Sequence, residues 1–289
     1  MTYFTEANAE AAVIERFGNC DNPRLQEVME SVVRHLLAVV REVEPTQEEW
    51  MQAIRFLTET GQICDDKRQE WILLSDTLGV SMLIDAINNQ KPAGATESTV
   101  LGPFYVEGAP DLAMGDDISQ TEGGEPCVVV GRVMDTAGAP VEGAVLDVWQ
   151  ASHDGFYNVQ QPDDQPEMNL RGRFVTDADG QYWFRTVVPC SYPIPDDGPV
   201  GKLLRDMGRH PYRPAHIHFI VGAEGFAPVT TQIFVPGDDY LGSDAVFGVK
   251  QSLVGDFETV TDTAVAEKFG VSAPFRQVEY DFTLADARS

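Results

Sequence analysis

Two histidines separated by one residue lie in a segment whose apolar side chains alternate along the chain. The segment reads RPAHIHFIV over residues 213–221 and contains His216 and His218. A period of two predicts a β-strand, on which side chains two residues apart point to the same face, about 7 Å apart at the backbone. Two imidazoles on one rigid face can bind one metal ion, because histidine is a common metal ligand. The alternative is a histidine pair that lines a polar sheet face without binding a metal.

The other ligands of such a metal are less evident from the residues alone. The chain has five histidines, and the remaining three form no second ligand pair, while the carboxylates are too numerous for one to stand out. Tyr157 follows a predicted strand, and Tyr192 lies in the irregular segment PCSYPIP at residues 189–195. Both tyrosines are candidate ligands. The alternative for each is a tyrosine that packs in its loop and forms a hydrogen bond between its hydroxyl group and the backbone.

The composition describes an acidic globular chain of 289 residues, long enough for one large domain or two. A net charge of -26 argues against nucleic acid or an anionic membrane surface as a partner. The four cysteines are scattered without a CxxC pair, which favours reduced thiols over a disulfide framework or a zinc knuckle. No apolar run has the length of a membrane helix, and the first residues do not resemble a signal peptide, so we expect a cytoplasmic protein.

The first third of the chain has the periodicity of helices. Asn22 is expected to cap a helix, and Thr46 with Glu49 forms a capping box for the next one. A further helix is expected to open at Asp65 or Asp66, with an inward face made of Trp71, Leu74 and Leu78. The helix after Asn22 has one apolar stripe at three- and four-residue steps, made of Leu25, Met29, Val32, Leu36, Val39 and Val43. The stripe is more apolar than a small solvated bundle requires, so we expect part of it to meet a second subunit.

The rest of the chain, from about residue 99, has a period of two. Strands are predicted at residues 127–134, 143–150, 173–176, 182–187, 216–221, 229–234 and 277–284. The segment DADG at residues 177–180 is typical of a hairpin turn. Many short strands with Gly, Pro and Asp turns predict a β-sandwich. The predicted fold is therefore mainly β with N-terminal α: a helical dimerisation or linker domain at residues 1–98 and a β-sandwich catalytic domain at residues 99–289.

Five segments, in order along the chain, resemble the intradiol ring-cleaving dioxygenases. They are LGPFY at residues 101–105, LDVWQA at 146–151, GFY at 155–157, PCSY at 189–192 and RPAHIH at 213–218. Gln232, in TTQI at residues 230–233, matches as well. Any one segment would be a weak signal, but the likeness runs over essentially the whole chain.

The resemblance implies a mononuclear non-haem Fe(III) centre with one ion per chain. The implied ligands, matched by position, are Tyr157, Tyr192, His216 and His218. Fe(III) is a hard cation and phenolate a hard anion, so two phenolates offset much of its charge and hold the iron in the ferric state. The resemblance further implies that Tyr192 leaves the metal to accept a substrate proton, that Arg213 stabilises negative charge on the substrate, and that Gln232 is a polar partner behind the ligands.

Within the family, residues 64–79 and 100–104 resemble the members that act on hydroxyquinol (benzene-1,2,4-triol) more than those that act on catechol. The resemblance implies a pocket lined by Leu73, Asp76, Val100, Gly102, Pro103, Phe104, Ile194, Pro195, Arg213 and Phe247. Asp76 is the candidate acceptor for the third hydroxyl group. Cleavage by O2 would then give 3-hydroxy-cis,cis-muconate, which tautomerises to maleylacetate, in the catabolism of aromatic compounds.

Several alternatives are open at this point. A catechol or chlorocatechol 1,2-dioxygenase would differ in substrate preference alone. A non-catalytic sandwich could bind a structural metal through its histidine pair, and a zinc hydrolase could use His216 and His218 with a carboxylate. Both of these predict a colourless protein, whereas phenolate ligation of Fe(III) predicts a red-brown one. The apolar stripe between Leu25 and Val43 leads us to expect a homodimer through the N-terminal helices, with room for a lipid-like ligand between them.

Overall fold

The computed structural model, which describes residues 3–65 and 68–287, is helical at its start and rich in β-strands after it, as predicted. The helices are α1 (Ala9–Ile14), α2 (Pro23–Val43), α3 (Gln47–Gln62), α4 (Glu70–Thr77), α5 (Val80–Asn88), α6 (Pro199–Asp206) and α7 (Thr263–Phe269). The strands are β1 (Pro126–Asp135), β2 (Val145–Gln150), β3 (Arg171–Val175), β4 (Gln181–Val187), β5 (Tyr192–Pro193), β6 (Tyr212–Arg213), β7 (His216–Gly222), β8 (Val229–Phe234), β9 (Phe257–Val260), β10 (Phe275–Glu279) and β11 (Phe282–Leu284).

The chain divides into two units, Met1–Glu59 and Thr60–Ser289. Their limit falls within α3, so α4 and α5 belong to the same unit as the strands. The domain boundary expected between residues 98 and 99 stays a prediction. None of the helices in the described ranges is long and apolar enough to cross a membrane.

The caps expected for α2 and α3 are present. The Asn22 side chain accepts hydrogen bonds from the backbone N–H groups of Arg24 and Leu25, each at 3.1 Å. The Thr46 backbone N–H donates to the Glu49 carboxylate at 2.8 Å, and the Glu49 N–H donates to the Thr46 hydroxyl at 3.2 Å. These side chains satisfy backbone donors that a helix start leaves free, which is why short motifs suffice to place both helices.

The apolar stripe of α2 faces solvent in the single chain. Every member of the stripe is more than one third exposed, from 38% at Met29 to 65% at Val43. A groove of about 520 Å³ runs along the same helix, and it is lined by residues that include Val28, Val32 and His35. A contiguous exposed apolar surface of this kind usually marks an interaction site.

The helix expected to open at Asp65 or Asp66 begins later, at Glu70. Asp65 instead accepts a hydrogen bond from the backbone N–H of Arg68 at 2.7 Å, and Asp66 lies outside the described residues. Of the three side chains expected to face inward, Leu74 is buried, whereas Trp71 and Leu78 are exposed.

The exposure of Leu78 follows from Gly79, whose left-handed backbone (φ 76°) separates α4 from α5. The chain therefore forms two short helices that meet at a corner. Leu78 sits at that corner rather than on the inner face of one long helix, so a single helical period does not describe its position.

Two sheets pack face to face and confirm the predicted β-sandwich. One contains β11, β1, β10 and β9 in that order, with β4 also paired to β1, and the other has the order β3-β2-β7-β8. Their inner faces form the main core, which includes Leu146, Phe184 and Phe219. The stacked rings of Phe174 on β3 and Phe184 on β4, 4.9 Å apart, join the two sheets.

The turn at residues 177–180 is present, but the expected hairpin is wrong. The Gly180 N–H donates to the Asp177 carbonyl at 3.0 Å, which closes the turn. However, β3 pairs with β2 and β4 pairs with β1, so the turn carries the chain from one sheet to the other. A turn sequence determines only the chain reversal, whereas the pairing partners depend on burial across the whole sandwich. The strand expected at residues 277–284 is likewise two strands, β10 and β11, both parallel to β1.

Candidate metal centre

The outer face of the four-stranded sheet carries the histidine pair. Alternate side chains of β7 fill the sandwich core, so His216 and His218 project from the opposite face. The sheet register places Trp149 of β2 and Gln232 of β8 on either side of His218. Arg171 of β3 is in turn opposite Trp149. Directly opposed residues share a face, so these side chains form one row across the sheet.

The two imidazoles approach each other and are buried, each only 1% exposed. Their Nε2 atoms are 3.0 Å apart, and the His218 ring stacks on Trp149 with ring centroids 4.5 Å apart. His216 Nδ1 lies 2.7 Å from the Pro214 carbonyl. A carbonyl only accepts, so Nδ1 carries the proton and Nε2 keeps its lone pair, the arrangement found in histidines that bind metals.

Burial keeps both imidazoles neutral. Burial, with the charge of Arg213, lowers the pKa of His216 to about 3. Burial, with the charges of His216 and Arg213, also holds the pKa of His218 well below its usual value. A neutral imidazole offers a nitrogen lone pair, which is what a metal ion requires of it.

Two loops bring the tyrosines to the histidines. Tyr157 lies in the loop after β2, and Tyr192 lies in β5, which pairs with β6. Their phenol oxygens are 3.3 Å apart and both side chains are buried. Gly155 allows the loops to approach, because a Cβ there would lie 3.2 Å from the Ser191 carbonyl oxygen and its φ is 86°.

The four rings form one cluster. The Tyr157 ring lies 6.3 Å from the His218 ring, and the Tyr192 ring lies 5.7 Å from the His216 ring, between centroids. Burial, with the neighbouring Tyr192, holds the pKa of Tyr157 well above its usual value, so this phenol loses its proton only beside a strong cation. Two phenol oxygens that can become phenolates and two neutral imidazoles are a donor set that fits Fe(III).

The zinc-hydrolase alternative requires a carboxylate beside the histidine pair. Within residues 3–65 and 68–287, no group of three or more His, Cys, Asp or Glu side chains is placed to hold a metal ion. The carboxylate of Asp244 is engaged in a salt bridge with Arg213. The described part of the chain therefore surrounds the histidines with tyrosines rather than with carboxylates.

Arg213 is held in one orientation beside the histidines. Its Nε and Nη2 donate to the two oxygens of Asp244 at 3.1 and 3.2 Å, and Nη2 also donates to Gln232 Oε1 at 2.8 Å. Its Nη1 lies 3.2 Å from His216 Nε2. Burial alone would lower the pKa of Arg213, but Asp244 outweighs it, so the net pKa is raised. The guanidinium is therefore a fixed positive charge at the edge of the ring cluster.

Asp244 is a site residue that the sequence does not single out. It is buried, and Arg213 brings its pKa below the usual value although burial acts in the opposite direction. The backbone N–H of Gly248 also donates to it at 2.9 Å. The chain carries 46 Asp and Glu residues, and no local pattern distinguishes this one.

A cavity of about 1350 Å³ opens beside the ring cluster. Among the residues expected to line a pocket, the structure places seven in its wall: Leu73, Asp76, Val100, Gly102, Pro103, Phe104 and Pro195. Gly102 lines the cavity and also lies against His218, because a Cβ at this position would lie 3.3 Å from His218 Cε1. Phe104 joins it to the tyrosines, because its ring stacks on Tyr157 at 4.5 Å.

The structure does not bring the other expected pocket residues into this wall. Ile194 is buried but does not line the cavity, and Arg213 contacts His216 at the ring cluster. Phe247 is 52% exposed, with the Arg209 guanidinium 5.0 Å from its ring centroid. Its left-handed backbone (φ 59°) turns the segment at this point, and the ring lies against Gly79.

Asp76 is a buried carboxyl of the cavity wall, 9% exposed on the inner face of α4. Glu70 of the same helix is also buried in this wall, but its carboxylate is paired with Arg68 at 2.9 Å. Burial raises its pKa, while a hydrogen bond with Ser81 and the charge of Arg213 act in the opposite direction. An acidic group in an otherwise apolar helix segment can accept a hydrogen bond from a ligand, and its desolvation makes that bond more valuable.

A β-sandwich with two tyrosines and two histidines clustered on one outer face fits a non-haem metal site, and comparison with known proteins identifies the family of this chain. The family model described as "Dioxygenase" matches residues 100–286, and that described as "Catechol dioxygenase N terminus" matches residues 22–96. The chain belongs to the intradiol ring-cleaving dioxygenases.

Its relatives include proteins named for one substrate type. The chain is 59% identical to the hydroxyquinol 1,2-dioxygenase of Rhizobium sp. (strain MTP-10005), over 98% of this chain and 96% of that protein. It is 53% identical to the 6-chlorohydroxyquinol 1,2-dioxygenase of Cupriavidus pinatubonensis, over 91% of this chain and 95% of the other. The crystal structure of hydroxyquinol 1,2-dioxygenase from Pseudomonas putida DLL-E4 superimposes with a TM-score of 0.92 at 48% identity, over 98% of this chain and 99% of the other.

Proposed function

We propose that this protein is a cytoplasmic ferric dioxygenase that cleaves hydroxyquinol between its two adjacent hydroxylated carbons. Both atoms of O2 enter the product, 3-hydroxy-cis,cis-muconate, which tautomerises to maleylacetate. The observation that carries the proposal is a cluster of two tyrosines and two histidines beside a cavity whose wall contains the buried carboxyl group of Asp76.

The four ring side chains Tyr157, Tyr192, His216 and His218 would hold Fe(III). When bound, the ion would act as a Lewis acid that lowers the pKa of the substrate's hydroxyl protons. The Tyr192 oxygen, which would be a phenolate when it holds the ion, would accept one of these protons and become a phenol, since it lies in the cluster and the same loop lines the cavity at Pro195.

Arg213 acts by electrostatics. Its orientation is fixed by Asp244 and Gln232, so its charge is in place before negative charge develops on the substrate ring and on the attacking oxygen. Phe104 and the apolar part of the cavity wall keep water from the reacting carbons, which strengthens this interaction.

Asp76 is proposed to distinguish a triol from a diol. A hydroxyl group buried in an apolar pocket without a partner costs about 1–3 kcal/mol, and a hydrogen bond to a charged group contributes roughly 1.5–3 kcal/mol. A difference of this size favours the triol by about one to two orders of magnitude, since about 1.4 kcal/mol is tenfold.

We therefore expect the iron-loaded protein to have its highest kcat/KM with hydroxyquinol, about 10–100-fold above catechol. Oxygen uptake and product absorbance over a panel of diols and triols measure this. Asp76→Ala should lower the value for hydroxyquinol far more than for catechol, and Asp76→Asn, which keeps an acceptor oxygen, should lose less.

Three results would contradict parts of this assignment. Equal losses with both substrates in Asp76→Ala would mean that Asp76 supports the fold rather than binding the third hydroxyl. A wild-type preference for catechol would favour the catechol 1,2-dioxygenase alternative. A colourless protein after incubation with Fe(III) would favour the non-catalytic or zinc-binding alternatives.

We also propose that the chain forms a homodimer through the stripe of α2. The stripe is exposed in the single chain, and its Leu36 is 61% exposed. Leu36→Glu should convert the dimer to a monomer at micromolar concentration, measured by sedimentation velocity, whereas Glu27→Gln on the same helix should leave the mass unchanged. A wild-type protein that is monomeric and fully active would refute the proposal. A lipid-like ligand between the helices would be found in an organic extract of the dimer.

A further inference from the structure

Arg171 is a buried arginine on which the charge of Asp147 acts only from beyond salt-bridge distance. It is 2% exposed, and no carboxylate oxygen of the described residues lies within 4.0 Å of its guanidinium. Its Nη1 finds no hydrogen-bond acceptor in the same part of the chain. The Arg side chain stays charged at any physiological pH, so this position buries a positive charge that no ion pair neutralises. Such burial is costly and calls for a specific role.

The guanidinium bridges two segments that are far apart in sequence. Its Nε donates to the side-chain oxygen of Asn158 at 2.9 Å, and its Nη2 donates to the backbone carbonyl of Phe104 at 2.8 Å. Asn158 directly follows Tyr157, and the Phe104 ring stacks on the Tyr157 ring. Arg171 therefore holds Tyr157 from two sides, through its chain neighbour and through its stacking partner.

The strand that carries Arg171 gives this bridge a rigid base. Arg171 begins β3 and faces Trp149 in the register with β2, and Trp149 stacks on His218. The loops that carry Phe104 and Tyr157 have no strand of their own at these residues. Two loops are thus fastened to the same sheet that presents the histidines.

We infer that Arg171 is a positioning residue for Tyr157, which aligns this tyrosine with the histidine pair so that all can bind one iron. The inference rests on the proposed function, because it assigns Tyr157 to the iron. Lysine cannot replace arginine in this role, since a single ammonium lacks the planar fork that reaches two acceptors at once. Residues that orient metal ligands typically change metal affinity by about 10–100-fold when replaced.

The test compares Arg171 with Arg173, its neighbour on the same strand and the same sheet face. Arg173 is paired with Asp111 at 3.3 Å and is partly exposed. Arg171→Lys and Arg171→Met should each bind Fe(III) about 10–100-fold more weakly than wild type, measured by competition with a chelator. Their phenolate-to-iron absorption band should also shift, because the orientation of Tyr157 changes. Arg173→Met should retain both the affinity and the band.

A second route reaches the same bridge from its other end. Asn158→Ala removes one of the two acceptors, so it should weaken Fe(III) binding in the same direction but by less. The double variant Arg171→Met/Asn158→Ala should be no weaker than Arg171→Met alone, because both changes break one unit. If Arg171→Met does not fold, as judged by the thermal transition of the metal-free protein, Arg171→Lys and Asn158→Ala carry the test.

The outcomes separate this inference from the proposed function. A wild-type protein that stays colourless with Fe(III) overturns the proposed function and the inference with it. A red, active wild type whose Arg171→Lys variant matches Arg173→Met in iron affinity and absorption overturns the inference alone. Additive losses in the double variant would also overturn it, because they would mean that Arg171 and Asn158 act separately.

Discussion

Replacing Tyr157 by phenylalanine is expected to abolish colour, bound iron and turnover together. The variant loses one of four donor atoms and one of the two groups that can offset the charge of Fe(III) as anions. The phenylalanine ring fills the same space and can still stack on Phe104, so the fold should persist. Iron content by metal analysis, the visible spectrum and oxygen uptake should all fall to background.

Tyr105→Phe is the matched control for that experiment. Tyr105 is a nearby tyrosine whose ring lies 4.9 Å from Trp149 and whose hydroxyl donates to Asp147 at 3.1 Å. The Tyr105→Phe variant also loses a phenol oxygen, but one that lies outside the ring cluster, so this variant should keep iron and colour. A red and fully active Tyr157→Phe protein would refute the assignment of Tyr157 as a ligand.

The histidine pair could be predicted from periodicity, because on a strand the position in the sequence alone determines the sheet face to which a side chain points. His216 and His218 needed only the period of two to be placed on one face. The tyrosines differ, because Tyr157 and Tyr192 reach the site through loops whose course depends on Gly155 and on the pairing of β5 with β6. Their positions in the sequence made both tyrosines candidates with packing as the alternative, and the resemblance to a family is what favoured ligation.

Strand pairing and buried charges account for what the sequence did not reveal. The turn at Gly180 was predicted, but not the sheet that each flanking strand joins, since pairing is decided by contacts distant in sequence. Asp244 and Arg171 have no local signature, because a buried charge is recognisable only once its surroundings are assembled. Asp76, in contrast, is a pocket residue that the resemblance implies, and it is buried in the cavity wall.

Replacing Arg213 by lysine is expected to keep iron but to lower kcat by about 10²–10³-fold. This is the usual effect of removing a preorganised hydrogen-bond donor that stabilises the charge developing in the transition state. The guanidinium contacts Asp244, Gln232 and His216 at the same time. An ammonium is a point charge and cannot reproduce this planar set of contacts, so its charge would no longer be fixed beside the substrate. Single-turnover kinetics with the iron-loaded variant measure the change.

Asp244→Asn separates the charge of Arg213 from its orientation. The amide keeps one acceptor oxygen but removes the carboxylate, which leaves a buried guanidinium without its counter-ion. Breaking a buried ion pair in this way costs about 3–5 kcal/mol of stability, which thermal or urea unfolding would detect. The positive charge itself remains, so Asp244→Asn should lose stability while keeping more of its kcat than Arg213→Lys. An unchanged kcat in Arg213→Lys would instead mean that Arg213 only packs against the ring cluster, and that the electrostatic role belongs to another group.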